Sequence, residues 1–299
     1  MSHEREEGNQ KKKVMIGRMT VILVLVLTIL VIGIVIKNIS SNGNGKIDSN
    51  TQAKNNGEED DEPKEMSEIE KVFLDRNGEK LESLPILMYH FFYDANAGET
   101  GRNSNWMEIS DFEEQMKYLS ENNYYYPSWD EVFRFVNGDM DLPSKSIVVT
   151  IDDGSESFFR LAIPILEKYN VSATSFIVTS WFTTEIINEH TSDILIFRSH
   201  SHDMHRPGSD GQGAFLTMTY DEAYNDLETS KNMVGSSDIF CYPFGHTNDF
   251  TFQMLTETGY KLAVTTKPGR VSPGQEPLLL TRVRMSQGEP LSRFIEKVK

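Results

Sequence analysis

A single cysteine, Cys241, stands in 299 residues, so no intrachain disulfide can staple the fold and packing must hold it together. Positive charge is scarce: 29 Lys+Arg face 45 Asp+Glu, for a net charge of −16. A balance of that sign offers no basic face to a nucleic-acid backbone, so no nucleic-acid partner is expected. Internal repeats are absent, and long apolar runs are missing apart from one near the N-terminus. Hydrophobic residues still make up 38% of the chain, enough for a real core, and the length allows one large domain or two small ones.

The one long apolar run extends from Met19 to Ile36, broken only by Thr20, Thr28 and Gly33, and is flanked by Lys11, Lys12, Lys13 and Arg18. About 18 residues rising 1.5 Å each cross most of a ~30 Å hydrocarbon core, which predicts a transmembrane helix over 19–36. The positive-inside rule keeps residues 1–18 as a cytoplasmic tail and sends the rest of the chain outside. A cleaved signal peptide would have a shorter apolar region followed by small residues of the Ala-x-Ala kind, which the sequence does not show. Residues 37–66 turn to Asn, Ser, Gly and the run Glu58-Glu59-Asp60-Asp61-Glu62; they bury too little to order themselves and read as a disordered acidic linker. The expectation is a single-pass protein of the cell membrane with an extracellular folded domain over 67–299.

Within that domain, strand and helix patterns alternate. Short apolar strands are expected at 85–90, 147–151, 173–178, 194–197, 239–242 and 262–265, and helices at 158–169, before Gly259, and after capping boxes at Ser110-Asp-Phe-Glu113, Ser128-Trp-Asp-Glu131 and Thr219-Tyr-Asp-Glu222. Alternation of this kind predicts an α/β architecture on parallel strands, open or closed into a (β/α) barrel.

The strand Ile147-Val-Val-Thr-Ile151 ends on Asp152, Asp153 and Gly154. In α/β folds, ligands gather at the carboxyl ends of the strands, so both carboxylates point toward that crevice. A solvated Asp-Asp-Gly turn is the plainer alternative. A second strand, Ile194 to Phe197, runs into Arg198-Ser-His-Ser-His-Asp-Met-His205, which places three of the seven histidines within six residues at another strand end. Imidazoles beside carboxylates suit a divalent ion, and a catalytic site leaves one position open.

Three motifs in order resemble the polysaccharide deacetylase family, the carbohydrate esterases of the NodB homology type. Thr150-Ile-Asp-Asp-Gly154 is similar to its Thr-Phe-Asp-Asp-Gly, His200-Ser-His-Asp-Met-His205 to its paired-histidine motif, and Tyr242-Pro-Phe-Gly245 to its Tyr-Pro-Tyr-Gly. The histidine spacing, with Leu87-Met-Tyr-His90, is closer to the branch acting on poly-N-acetylglucosamine. The resemblance covers residues 84–288 and implies a distorted (β/α) barrel that hydrolyses N-acetyl groups on N-acetylglucosamine units of a cell-wall or surface polysaccharide, either peptidoglycan or poly-N-acetylglucosamine. It implies Asp152 as catalytic base, with Asp153, His200 and His205 holding a divalent metal, foremost Zn²⁺, with Co²⁺ or Ni²⁺ as alternatives. Phe244, through its backbone N–H, with Tyr242 and Arg284 would face the oxyanion and substrate. Asp152 would take a proton from water that the ion acidifies.

One departure matters. The family supplies an acid histidine near its C-terminus, whereas no histidine follows His246 here; Leu280-Thr-Arg-Val-Arg284 occupies that region. Arginine gives up no proton at neutral pH, which makes His90 the candidate acid with His246 behind it, and Arg282 or Arg284 a candidate for orienting Asp152. His202, between the two candidate ligands, is expected to point away. The missing histidine also motivates an alternative, a catalytically degenerate domain that only binds glycan. A third reading, an Fe(II) oxygenase built on two histidines and a carboxylate, is disfavoured by the second aspartate and the Tyr-Pro-Phe-Gly loop.

Overall fold

The computed structural model describes residues 66–299. The expected cytoplasmic tail, transmembrane helix and nearly all of the linker lie outside the described residues. Among the described residues, no helix is long and apolar enough to cross a membrane. The first described element is helix α1 (Glu68–Asp75), whose N-cap Ser67 and Glu70 form a reciprocal capping box.

Seven parallel strands close into a barrel: β1 (Ile86–Tyr89), β4 (Val148–Asp153), β5 (Ala173–Ile177), β6 (Leu195–Ser199), β7 (Ile239–Cys241), β8 (Leu262–Pro268) and β9 (Leu280–Arg284), with β9 returning to β1. A two-stranded parallel ribbon, β2 (Phe91–Tyr93) with β3 (Trp106–Glu108), extends from the end of β1. The helices that surround or cap the barrel are α2 (Ile109–Glu121), α3 (Trp129–Val136), α4 (Ile163–Tyr169), α5 (Thr184–His190), α6 (Tyr220–Val234), α7 (Asp249–Glu257) and α8 (Leu291–Val298).

Strand alternation sorts the side chains into lumen and shell. Ile86, Val148, Phe176, Ile239, Cys241, Leu262, Val264 and Leu280 come from six of the seven strands and cluster together, so they fill the lumen; Trp129, Val132, Phe135 and Val136 of α3 join them. Their neighbours Leu87, Val149, Ile151, Ile177 and Phe197 face outward onto α2, α4 and α8. Phe240, Tyr242 and Ala263 do the same onto α6 and α7.

Two of the three expected helix starts take the anticipated form, at Ser128 and Thr219. The third does not. Glu108 caps α2, accepting from the backbone N–H groups of Ser110 and Asp111, and Ser110 lies inside the helix. A carboxylate two residues upstream takes the orphan N–H groups before the serine can.

Candidate active site

Every residue proposed for chemistry sits at the carboxyl end of a barrel strand or just past it: His90 after β1, Asp152 and Asp153 on β4, His200 to His205 after β6, the Tyr242 to Gly245 loop after β7, and Arg282 and Arg284 on β9. Alternation places Asp152 in the lumen with Thr150 and turns Asp153 to the opposite side. The backbone breaks that rule at Asp153, whose φ of 73° is left-handed, as is the 68° of Gly154. A non-glycine residue in this region is held there against a cost of about 1–3 kcal/mol by its surroundings. The result is two adjacent carboxylates that share His200 as a neighbour but differ in their shortest contacts.

Asp152 is 2% exposed and is gripped by a fully buried arginine: Arg282 Nη1 donates to Oδ1 and Nη2 to Oδ2, each at 2.7 Å. Arg282 also donates from Nε to the Thr265 carbonyl at 2.8 Å and from Nη1 to Thr150 Oγ1 at 3.1 Å, so its fork is fixed. Burial alone would raise the Asp152 pKa; the charge and hydrogen bonds of Arg282 outweigh it and hold the carboxyl well below the usual carboxylate range. Asp152 is therefore an oriented anion. His90 Nε2 lies 3.7 Å from its Oδ2, and burial lowers the His90 pKa against the opposing pull of Asp152 and Asp153. The thiol of Cys241, kept protonated by burial, approaches the same oxygen at 3.6 Å and Arg282 Nη2 at 3.4 Å.

Asp153 Oδ1 is buried with no hydrogen-bond donor. It lies 3.3 Å from His200 Nε2 and 3.3 Å from His205 Nε2. His200 donates from Nδ1 to the Cys241 carbonyl at 2.8 Å, which leaves Nε2 facing the carboxylate; against the lowering effect of burial, Asp153 raises the His200 pKa, and a cation would take the place of that proton. One ligand atom from each of Asp153, His200 and His205 lies within 4.8 Å of the other two. Three electron-pair donors meeting around a buried unpartnered oxygen fit a divalent cation and leave room for further ligands.

The remaining expectations divide. His202 points away, its Nδ1 3.0 Å from Thr179 Oγ1. His246 Nδ1 accepts from the Gly213 N–H at 3.1 Å, so it braces the loop over Gly213. Phe244 adopts φ 59° and packs tilted against His205 with ring centroids 4.4 Å apart while remaining 42% exposed. Gly245 makes that turn feasible: its φ is 73°, and a Cβ there would meet Thr266 Oγ1 at 2.1 Å.

One residue needs correction, and one pair of alternatives is decided. Tyr242, expected near the substrate, is 1% exposed and packs between Phe215 and Phe240 on the barrel's outer face, because it follows lumen-facing Cys241 by one position. Of the two arginines offered for orienting Asp152, Arg282 holds it, and Arg284 Nη1 donates to Asn105 Oδ1. Both arginines face the lumen, but Arg284 pairs with Met88, level with Thr150, two residues nearer the mouth than Arg282. The contact of Cys241 with Asp152 was not anticipated, although lumen parity with Asp152 was readable from the strand.

Residues 139–263 match the family model described as polysaccharide deacetylase. This chain carries a polysaccharide deacetylase domain. YxkH of Bacillus subtilis (strain 168), whose name places it among polysaccharide deacetylases, is 29% identical over 235 residues, covering 74% of this chain and 79% of that protein. The poly-beta-1,6-N-acetyl-D-glucosamine N-deacetylase of Staphylococcus aureus (strain MRSA252) is 25% identical over 247 residues, covering 76% of this chain and 83% of its own length. The solved structure of Streptococcus pyogenes deacetylase PplD in complex with acetate superposes with a TM-score of 0.63 at 23% identity, over 74% of this chain and 99% of that one, which shows a shared fold. The deacetylase domain thus carries an Asp-His-His cluster suited to the metal on which this family of hydrolases depends.

Proposed function

We propose that this protein is a membrane-anchored, metal-dependent N-deacetylase acting on N-acetylglucosamine units of a surface polysaccharide, either peptidoglycan or poly-N-acetylglucosamine. The observation that carries the reading is the division of labour between neighbouring carboxylates. Asp153 offers an unpartnered oxygen beside the Nε2 atoms of two imidazoles, while Asp152, though also near His200, has both oxygens engaged by Arg282. Asp153, His200 and His205 would hold the cation, with Zn²⁺ the best match to one carboxylate and two imidazoles and Co²⁺ or Ni²⁺ as alternatives. When bound, such an ion acidifies water and polarises a carbonyl oxygen.

The chain's own residues supply the rest. Asp152, ionised and fixed by the guanidinium fork, accepts the proton of the attacking water as general base. The backbone N–H of Phe244, on a loop braced by Pro243 and Gly245, is the candidate donor to the developing oxyanion. His90, facing the second oxygen of Asp152, is the candidate to carry the proton to the departing amine. Burial makes it neutral at the start of the cycle, so it would be loaded from Asp152 first.

Anchoring rests on the apolar run Met19 to Ile36 and its basic flank, and it would keep the domain beside a polymer that cannot diffuse to it. The test is acetate release from N-acetylglucosamine oligomers by the full chain supplied with Zn²⁺ or Co²⁺. Asp152→Asn and His200→Ala are each expected to reduce it to background; full activity in either would refute the roles given. Glycan binding without acetate release would instead favour the degenerate domain, the reading that the missing C-terminal histidine motivates.

A further inference from the structure

The rim of the barrel beside His90 carries two arginines that no acidic group claims. Arg284, half-buried, has Asn105 as the hydrogen-bond partner of its guanidinium. Arg102, exposed, lies over the Trp106 ring with its guanidinium carbon 5.1 Å from the centroid. Among the described residues neither has a carboxylate within ion-pair distance, whereas Arg160, Arg198, Arg206, Arg282 and Arg293 each do; Arg76, Arg134 and Arg270 also have none, but Arg76 and Arg270 bond groups before β4 and β1, and Arg134 lies on α3, away from the carboxyl ends of the strands. In a chain with a net charge of −16, cations left without acids beside a catalytic crevice call for a reason.

Their placement is built. Phe91 directly follows His90 and stacks on Trp106 at 5.2 Å, tying the β2–β3 ribbon to the mouth of the barrel. Gly101 is wedged: a Cβ there would lie 2.7 Å from Gln287 Oε1, 2.9 Å from Tyr93 and 3.0 Å from Trp106. The loop bearing Arg102 is thereby packed against the segment that follows Arg284. Asn105 and Trp106, which hold the two guanidinium groups, are consecutive residues. Aromatic faces next to guanidinium forks suit a sugar ring carrying a planar or tetrahedral anion, which arginine recognises through paired N–H groups.

From this we infer that the preferred substrate is not a neutral polymer but an N-acetylated hexosamine with a carboxylate or phosphate on or next to the reacting sugar, bound by Arg284 and Arg102. A neutral N-acetylglucosamine polymer offers these side chains hydroxyls and amides only. The inference rests on the deacetylase reading and narrows it to anionic glycans.

The experiment compares the full chain on three probes: a neutral N-acetylglucosamine oligomer, a disaccharide whose neighbouring sugar bears a carboxylate on an ether arm, and N-acetylglucosamine 1-phosphate. Acetate release should show a higher kcat/KM for at least one anionic probe, and which one identifies the anion. Arg284→Gln should cut that advantage about tenfold and Arg102→Gln several-fold, with Arg284→Lys keeping part of it. Raising salt should narrow the gap, because exposed charges are screened. Equal rates on the three probes, or variants that slow all of them alike, would overturn the inference. Should none of them lose acetate, the deacetylase reading fails on its own, and calorimetric binding of the same probes decides this one: tighter anionic binding that Arg284→Gln removes supports it, and equal or absent binding overturns it.

Discussion

The two ends of the barrel lumen are built on opposite principles. At the amino end, α3 seals the strands with Trp129, Val132, Phe135 and Val136 against Ile86, Val148, Ile239 and Leu262, all nearly or fully buried. The lone polar group of that plug is matched, since Trp129 Nε1 donates to Thr174 Oγ1 at 3.0 Å. At the carboxyl end the lumen holds Thr150, Asp152, Cys241 and Arg282, and just outside them the unpartnered oxygen of Asp153. Apolar burial worth about 1.5–3 kcal/mol per large side chain at one end balances polar groups at the other that contribute little net stability. The fold concentrates its strength where no chemistry is expected and tolerates strain where it is.

That contrast breaks most visibly at Arg282. Arg282→Met leaves Asp152 as a buried carboxylate without its counter-ion, which should lower the unfolding free energy by about 3–5 kcal/mol. Acetate release should fall at least about a hundredfold with it, because the base is no longer ionised and aimed. Denaturant titration and a single-substrate assay check both halves, and a variant of parental stability would mean that the buried pair is not the hinge of this end of the lumen.

The open cluster behaves differently, since it gains stability from outside. Zn²⁺ at about 100 times its dissociation constant should raise the unfolding free energy by about 2.7 kcal/mol if it binds only the folded chain. His205→Ala should abolish that increment while hardly changing stability in the absence of metal. Thermal scans with and without chelator report it, and an undiminished increment in the variant would remove His205 from the ligand set.

Trp129→Phe probes the sealed end. It removes the indole hydrogen bond and part of the packing volume, for an expected loss of about 2 kcal/mol. Activity per folded molecule should stay within about twofold. A matching loss of kcat would show that the plug and the site are mechanically one unit, contrary to the contrast drawn above.

Most of this arrangement was legible because strands report parity. The period of two sends Asp152 inward, and the same rule, applied through Cys241, sends Tyr242 outward, so that error was avoidable. Arg282 and Arg284 share parity and could not be separated that way; what separates them is depth, set by the pairing of Arg284 with Met88, and register across a closing barrel is a long-range property. The left-handed turn at Asp153 was hidden for a similar reason, since nothing local to an aspartate forces φ positive. The ribbon of β2 and β3 went unread because three residues per strand are too few to display a period. The grouping of Asp153 with His200 and His205, by contrast, came from the family resemblance and not from strand adjacency, since β5 stands between β4 and β6.

The smallest effect expected concerns Cys241, and it tests how finely the carboxyl end is tuned. Its S–H approaches Asp152 Oδ2 at 3.6 Å, on an oxygen that already receives Arg282 at 2.7 Å. Thiols are weak donors, so the loss of this contact should cost about 1 kcal/mol or less beside the guanidinium pair. Cys241→Val adds about one methyl group of volume and removes the donor; kcat should fall about two- to fivefold with KM unchanged, as the carboxylate gains freedom to rotate. Cys241→Ser restores a donor and should recover most of the rate despite its smaller size. The pair of variants separates packing from orientation: if valine matches the parent and serine does not, the thiol merely fills space, and the tuning of this end resides in Arg282 alone.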